Sequence, residues 1–259
     1  MLAGQKTLLS RTMHDIRYDP VHDEIVVPNP FAQAILVFRG GASGEEAPIR
    51  IIQGPNTQLQ GTGAAAGGVD RLDVDPVHDE IFVPAGDKIL VYSRTANGDV
   101  PPVRVIQGPA TTLKRAQAIA VDAVHNVIVA GTNRAYNNGL GALIIFNRTD
   151  SGNVKPRGII TGPKSEIGNM NQIVIYAPKG WVVATPSGDS YGVAEPEGAF
   201  VGIWSIHDNG DVPAHWKLMG PKSGLKKARG VALNAKDKEL IIADMRLNSV
   251  LTYYFPEIF

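Results

Sequence analysis

The sequence contains no cysteine. Disulfide bonds, thiolate nucleophiles and thiolate metal ligands are therefore excluded. An excess of either charge is also missing, because 25 Lys and Arg residues balance 25 Asp and Glu residues. A neutral chain has no long-range field that would attract a polyanion. We therefore expect neither a nucleic acid nor a membrane as a partner.

Long apolar runs are also absent. No stretch approaches the roughly 18 apolar residues that a membrane span needs. The first ten residues, MLAGQKTLLS, lack the basic region and apolar run of a signal peptide. We expect a soluble protein, and export of a form whose signal has been removed stays open. The sequence assigns no compartment.

The sequence does contain a repeat. The segment DPVHDEIVV, from Asp19 to Val27, returns almost unchanged as DPVHDEIFV from Asp75 to Val83. More divergent copies are DAVHNVIVA from Asp122, YAPKGWVVA from Tyr176 and NAKDKELIIA from Asn234. Repeats at such spacing are typical of solenoids and propellers.

Each repeat contains four short β-rich segments separated by turns. A strand such as IRYD precedes the repeated motif, whose EIVVP or EIFVP reads as a second strand. A third strand such as AILVF and a fourth such as IRIIQG follow, with Gly, Pro, Asn and Asp between them. Four-stranded units of about 45 to 58 residues match the blades of a β-propeller. We therefore predict an all-β protein with antiparallel four-stranded sheets.

The last repeat is incomplete. Five openings are present, but the fifth stops after its third strand, and only Met1, Leu2 and Ala3 precede the Gly4 turn to match the end of IIQG. We predict a single five-bladed domain over 1–259 with an incomplete closing blade. Its blades cover about 13–59, 69–113, 116–167, 170–225 and 228–259 with residues 1–4. The alternative is the larger part of a six-bladed propeller, and an unclosed edge favours a homodimer.

The histidines of the repeated motif resemble metal ligands beside acidic residues. His22, His78 and His125 occupy the same turn in three blades. Because a residue that recurs in every blade serves the fold more often than a single site, we predict that these imidazoles and Asp19, Asp75 and Asp122 hold turns.

Residues that break the repeat are better functional candidates. Two positions before the first apolar residue of each first strand, the copies read His14, Asp70, Gln117, Asn171 and Arg229. The following position reads Asp15, Arg71, Ala118, Gln172 and Gly230. In a propeller these loops face the mouth of the central channel. Either they form a hydrated rim, or they form a site that combines acid, base and amide groups.

Two loops between second and third strands are long. They cover 131–142 and 185–200 and are adjacent in blade order. They carry the candidate ligand-binding residues Arg134, Tyr136, Asp189 and Tyr191. Loops on a rigid scaffold commonly contact ligands, although an ordinary variable loop is the alternative.

The order of polar loop, strand ending in Asp, EIVVP-like strand, ILVF-like strand and P-x-R-x-I-x-G-P resembles bacterial NHL-type and YncE-like β-propeller repeats over essentially the whole chain. The resemblance implies a fold shared by binding platforms, lactonases, phosphotriesterase-like hydrolases and lyases. Lactonase-like members hold calcium with Glu, Asn and Asp. Here the calcium candidates are Asp15, Asp70, Asn171 and Asp244, and no glutamate stands at an inner-strand position.

Three hypotheses follow. The first is a binding propeller without a cofactor, which recognises a small molecule, glycan or peptide at the channel mouth. The second is an enzyme: a calcium-assisted hydrolase of lactones or esters, or a metal-free lyase with His14 as general base, oriented by Asp15 or Asp70. The third is a purely structural or assembly role.

Overall fold

The structure is a computed structural model that describes residues 1–10, 13–59, 69–134, 136–187 and 199–259. The chain divides into two compact units. The first comprises Met1–Gln117 with Asp150–Val154, and the second comprises Ala118–Thr149 with Lys155–Phe259. The prediction of a single domain stays a prediction.

The first unit contains two four-stranded antiparallel sheets, each in sequential strand order. The first sheet consists of β1 (Arg17–Asp19), β2 (Glu24–Asn29), β3 (Ala34–Arg39) and β4 (Arg50–Gln53). The second consists of β5 (Asp73–Asp75), β6 (Glu80–Ala85), β7 (Lys88–Ser93) and β8 (Arg104–Gln107).

The other three sheets belong to the second unit, except that the first two residues of β9 lie in the first. One consists of β9 (Ala116–Asp122), β10 (Val127–Thr132), β11 (Leu143–Asn147) and β12 (Gly158–Ile160). The next consists of β13 (Asn169–Tyr176), β14 (Trp181–Ser187), β15 (Val201–Ser205) and β16 (Trp216–Leu218). The last consists of β17 (Ala228–Asn234), β18 (Glu239–Asp244) and β19 (Ser249–Tyr254). The predicted all-β fold, a β-propeller with five blade sheets, is confirmed, and the last sheet has three strands.

Short 3-10 turns supplement the strands, at Gln5–Thr7, Pro55–Thr57, Pro109–Thr111, Ala177–Lys179, Pro221–Ser223 and Pro256–Ile258. In the described part of the chain, no helix is long and apolar enough to cross a membrane.

The second and third strands of the first four blades are buried on both faces. Their continuous Val, Ile and Leu runs allow this, because neither face carries regularly spaced polar residues. Ile35, Ile81 and Val83 belong to one apolar core in the first unit. Tyr92 in β7 is also buried there, and its hydroxyl donates a hydrogen bond to the carbonyl of Thr57. The second unit has its own core, which includes Val129, Ile145 and Trp204.

The repeated Asp-x-x-His motif forms the turn between the first two strands, as predicted. Asp19 Oδ1 accepts hydrogen bonds from the backbone N–H groups of Val21 at 2.9 Å and His22 at 3.1 Å. Asp19 Oδ2 lies 2.8 Å from His22 Nδ1. The same contacts recur at Asp75 with His78 and at Asp122 with His125. These imidazoles therefore fix turns.

The first three residues of the chain make the contacts that end a fourth strand. Ala3 N–H donates to the Gly44 carbonyl at 2.9 Å, and Gly44 N–H donates to the Met1 carbonyl at 2.8 Å. Gln53 and Ile51 make the same two bonds to Gly98, at 3.1 and 2.6 Å. The predicted match between the N-terminal residues and the IIQG segments therefore extends to their hydrogen bonds.

Candidate functional site

His14 and Asp70, which precede β1 and β5, are in direct contact. Asp70 Oδ1 hydrogen-bonds His14 Nδ1. The His14 side chain is 34% exposed and that of Asp70 only 9%. Because a carboxylate only accepts hydrogen bonds, the shared hydrogen belongs to Nδ1, and a neutral imidazole then has its lone pair on Nε2. Asp70 thus orients the His14 side chain through its Nδ1 atom.

An ionic network of buried and half-buried side chains lies beside this pair. Arg17 donates to Asp15 Oδ1 at 3.0 Å through Nη1 and to Asp73 Oδ1 at 2.9 Å through Nε. The buried Arg71 side chain donates to the His14 carbonyl at 2.8 Å. Burial raises the pKa of Asp15, and the charges of Arg17 and Arg71 oppose that rise. The network fixes the backbone that carries His14.

Asn171 and Arg229 form the corresponding pair in the second unit. Arg229 Nη1 donates to Asn171 Oδ1 at 2.8 Å, while Asn171 Nδ2 donates to the Ala228 carbonyl at 3.0 Å. Asn171 is 1% exposed, and Arg229 is half-buried. Each pair thus joins a buried polar side chain to a more exposed side chain that can titrate or carry charge.

The next position in the repeat connects neighbouring blades within each unit. Asp15 Oδ2 accepts a hydrogen bond from Leu72 N–H at 3.1 Å. Gln172 Oε1 accepts one from Val231 N–H at 2.6 Å. Leu72 and Val231 are the first apolar residues of the predicted first strands of their blades. Asp15 and Gln172 therefore hold successive blades together, a role that the sequence alone did not indicate.

The remaining candidate ligand-binding residues are Gln117, Arg134, Tyr136, Asp189 and Tyr191. Gln117 is half-buried within β9. Both Arg134 and Tyr136 follow β10: the backbone N–H of Arg134 donates to Asn169 Oδ1 at 3.4 Å, and that of Tyr136 donates to the Asn133 carbonyl at 3.1 Å. Asp189 and Tyr191 fall outside the described residues, and their assignment stays a prediction.

The four candidate calcium ligands each accept hydrogen bonds within the protein, and their assignment to calcium stays a prediction. Calcium is bound by several oxygens that converge on the ion. Asp15 accepts a hydrogen bond from Leu72 N–H, and Asp70 accepts one from His14 Nδ1. Asn171 Oδ1 accepts one from Arg229. Asp244 accepts four backbone hydrogen bonds from Lys226, Lys227, Arg246 and Leu247. Within the described residues, no group of three or more His, Asp or Glu side chains could hold a metal ion.

The pKa of Asp244 also reflects these backbone hydrogen bonds. Burial favours its neutral form, but the backbone donors outweigh burial and lower the pKa below its usual value. Asp244, at the end of β18, thus connects the segment before β17 to the turn after β18 through backbone hydrogen bonds.

Arg17 and Asp73 were not among the predicted site residues. Both lie within first strands, where polar residues of alternating strands are ordinarily assigned to solvent. Their separation of 56 positions in sequence matches that of His14 and Asp70. Alignment of the first two repeats therefore contained a signal for both contacts.

No protein-family model matches the chain, and no curated protein matches it by sequence. Solved structures do resemble it in fold. One is Kuenenia stuttgartiensis hydrazine synthase, with a TM-score of 0.61 and 10% identity. The match covers 88% of this chain and 54% of that chain, so this chain spans about half the length of that relative. At this identity, the similarity concerns the fold alone.

Proposed function

We propose that this β-propeller is a ligand-binding protein and that His14, oriented by Asp70, contacts the ligand. The observation that carries the proposal is the asymmetry of the pair, in which a buried carboxylate holds Nδ1 of a partly exposed imidazole. Side chains held by buried partners bind with a smaller loss of conformational entropy. The resemblance to NHL-type repeats supports a binding role as well.

The geometry also favours a class of ligand. With Nδ1–H directed at Asp70, Nε2 is the ring nitrogen left to contact a ligand, as an acceptor when the imidazole is neutral and as a donor when it is charged. The ligand should therefore present polar groups of both kinds, as a glycan, a peptide or a hydroxylated small molecule does. From the sequence, we also propose Arg134, Tyr136, Asp189 and Tyr191, in the loops 131–142 and 185–200 of the second unit, as ligand contacts.

Ligand-observed NMR with a fixed panel of oligosaccharides, short peptides and polyols tests this proposal. Ligands that bind the wild type should be lost with His14→Ala and weakened about tenfold or more with Asp70→Asn, which removes the charge that orients the imidazole. Asp87→Asn, at an exposed position in the same unit, is the matched control and should bind normally. Binding that survives His14→Ala would show that the site lies elsewhere.

The same pair favours general-base catalysis as a second candidate. In a hydrolysis, Nε2 would take a proton from water as the water oxygen attacks a lactone or ester carbonyl. The imidazolium would then return that proton to the departing alkoxide. An Asp that orients a His base is a recurring arrangement in hydrolases.

Hydrolysis of chromogenic esters and lactones separates the two candidates. An enzyme should lose kcat by about 100-fold or more with His14→Gln, while KM changes little. A rate equal to that of uncatalysed hydrolysis, together with ligand binding that depends on His14, would support the binding protein alone.

A further inference from the structure

The sequence contains three Asn-Gly pairs, and two of them are held by a neighbouring blade. Asn97–Gly98 lies in the turn between β7 and β8 of the first unit. Asn97 Oδ1 accepts a hydrogen bond from Ile51 N–H at 3.0 Å, and Gly98 N–H donates to the Ile51 carbonyl at 2.6 Å. Both polar groups of this pair are therefore bonded to β4, the fourth strand of the preceding blade.

Asn209–Gly210 makes the equivalent contacts in the second unit, in the turn between β15 and β16. Asn209 Oδ1 accepts a hydrogen bond from Ile159 N–H at 2.9 Å, and Gly210 N–H donates to the Ile159 carbonyl at 2.7 Å. In both turns, one residue of a fourth strand thus bonds the asparagine side chain and the glycine backbone together.

The third pair, Asn138–Gly139, forms the tip of a short hairpin in the loop after β10. Asn137 N–H donates to the Leu140 carbonyl at 3.0 Å, and Leu140 N–H donates to the Asn137 carbonyl at 2.8 Å. Asn138 has φ 45° and Gly139 has φ 90°, both positive as a type I′ turn requires. Asn138 is exposed, and neither its side chain nor Gly139 N–H makes a hydrogen bond to a described residue.

We propose that Asn138 is a site of spontaneous deamidation, with water as the co-reactant, and that the fold protects Asn97 and Asn209 from the same reaction. The reaction begins when the backbone nitrogen of Gly139 attacks Asn138 Cγ. A bond forms between these two atoms, the Cγ–Nδ2 bond breaks, and ammonia leaves with the proton from the Gly139 nitrogen. Glycine favours this step, because it has no Cβ to obstruct the attack.

Water then opens the five-membered succinimide ring that the first step leaves. Its oxygen adds to one of the two ring carbonyl carbons, the bond from that carbon to the Gly139 nitrogen breaks, and a proton returns to the nitrogen. Addition at Cγ gives an aspartate at position 138. Addition at the backbone carbonyl carbon gives an isoaspartate, in which the chain continues through Cγ. Both products carry a carboxylate, and no oxidation or reduction takes place.

The population of open turns controls the rate, because ring closure needs the asparagine backbone to leave its turn conformation. The hairpin of Asn138 lies at an exposed loop tip, where local opening is least costly. The turns of Asn97 and Asn209 must break two hydrogen bonds to the preceding blade before they open. We therefore expect Asn138 to react at least about tenfold faster than Asn97 or Asn209.

The new charge would enter a loop that already carries a cation. A Cβ atom at Gly139 would lie 3.7 Å from Arg134 Nη2, so the hairpin tip is next to this guanidinium. The chain has a formal net charge of zero at pH 7, so one deamidation gives it a single negative charge. Anion exchange should therefore separate the modified protein from the unmodified protein.

Peptide mapping by mass spectrometry tests the proposal on the whole chain, incubated at neutral pH either folded or in urea. In the folded protein, fragmentation should locate the mass increase of deamidation at Asn138, with aspartate and isoaspartate forms that elute separately. In urea, the three Asn-Gly pairs should react at similar rates, because their turns are then open. Asn138→Gln should remove the acidic form from anion exchange, since glutamine would have to close a six-membered ring. Asn137→Gln, at the exposed neighbouring position, keeps the Asn-Gly pair and should react as the wild type does.

Two results would overturn the proposal. One is a folded protein in which Asn138 reacts no faster than Asn97 and Asn209, because the hairpin would then protect its asparagine as well as the blade contacts do. The other is a difference in rate that persists in urea, which would assign it to the flanking sequence instead of the fold.

Discussion

Asp15 of the first blade accepts a hydrogen bond from the backbone N–H of Leu72 in the second blade at 3.1 Å. The same carboxylate pairs with the half-buried Arg17. Asp15→Ala would leave both groups with one partner fewer, so we expect a loss of about 2 to 4 kcal/mol in the free energy of unfolding. Urea unfolding measures this loss. Asp87→Ala, at an exposed position, should change it by less than about 0.5 kcal/mol, and equal losses would contradict a clamp role for Asp15.

In each of the two polar pairs, substitution of the buried member should lower the free energy of unfolding more than substitution of the more exposed member. Asp70 and Asn171 are buried, whereas His14 and Arg229 are more exposed. We expect His14→Ala and Arg229→Ala to cost at most about 1 kcal/mol. Asp70→Ala and Asn171→Ala should each cost about 1 to 3 kcal/mol, because the first removes the carboxylate 3.8 Å from the buried Arg71 and the second removes a donor to the Ala228 carbonyl. Thermal unfolding of the four variants is the measurement, and the reverse order would identify His14 and Arg229 as structural.

The Asp turns should depend on the carboxylate more than on the imidazole. Asp75 holds two backbone N–H groups and His78, while His78 contributes a single contact to Asp75. We expect Asp75→Ala to cost about 1 to 3 kcal/mol and His78→Ala less than about 1 kcal/mol. Chemical unfolding of both variants tests the order, and a more damaging His78→Ala would assign the turn to the imidazole.

Glu24 should contribute stability that acid removes. Burial opposes its charge, but hydrogen bonds from Arg50 at 2.6 Å and Arg94 at 2.9 Å outweigh burial and lower its pKa below the usual 4.5. Because the pKa is lower in the folded state, the stabilisation is present above the unfolded value and is lost as pH falls through the folded value.

Glu24→Gln tests this expectation. The difference in unfolding free energy between the wild type and Glu24→Gln should shrink as pH falls from about 7 to about 3. Glu45→Gln, at an exposed carboxylate, provides the baseline. A difference that is constant with pH would mean that the two arginines do not stabilise the charged form.

Calcium should not stabilise the protein. The oxygens of Asp244 already accept four backbone hydrogen bonds, and binding of an ion would have to break them. We expect melting temperatures in about 1 mM calcium and about 1 mM EDTA to agree within about 1 °C, because only a ligand that binds the folded state raises stability. An increase of several degrees with calcium would favour the calcium-assisted hydrolase.

The fold was accessible from the sequence because its signals are local. Short apolar runs bounded by turn residues indicate each strand, and the copies at Asp19 and Asp75 fix the phase of the repeat. The contact of His14 with Asp70 follows from that phase, since they occupy equivalent positions in consecutive blades. The roles of Asp15 and Gln172 could not be predicted, because whether a polar residue before a strand is exposed or buried depends on how the neighbouring blade packs.

The burial of Tyr92 has a consequence that absorbance spectroscopy can detect. Burial raises its pKa above the ordinary value of 10, so the phenol stays neutral in alkaline solution while exposed phenols ionise. Ionisation changes the near-ultraviolet absorbance of tyrosine. The part of the alkaline absorbance change that needs denaturant therefore includes Tyr92, and its appearance reports loosening of the second blade without an added label.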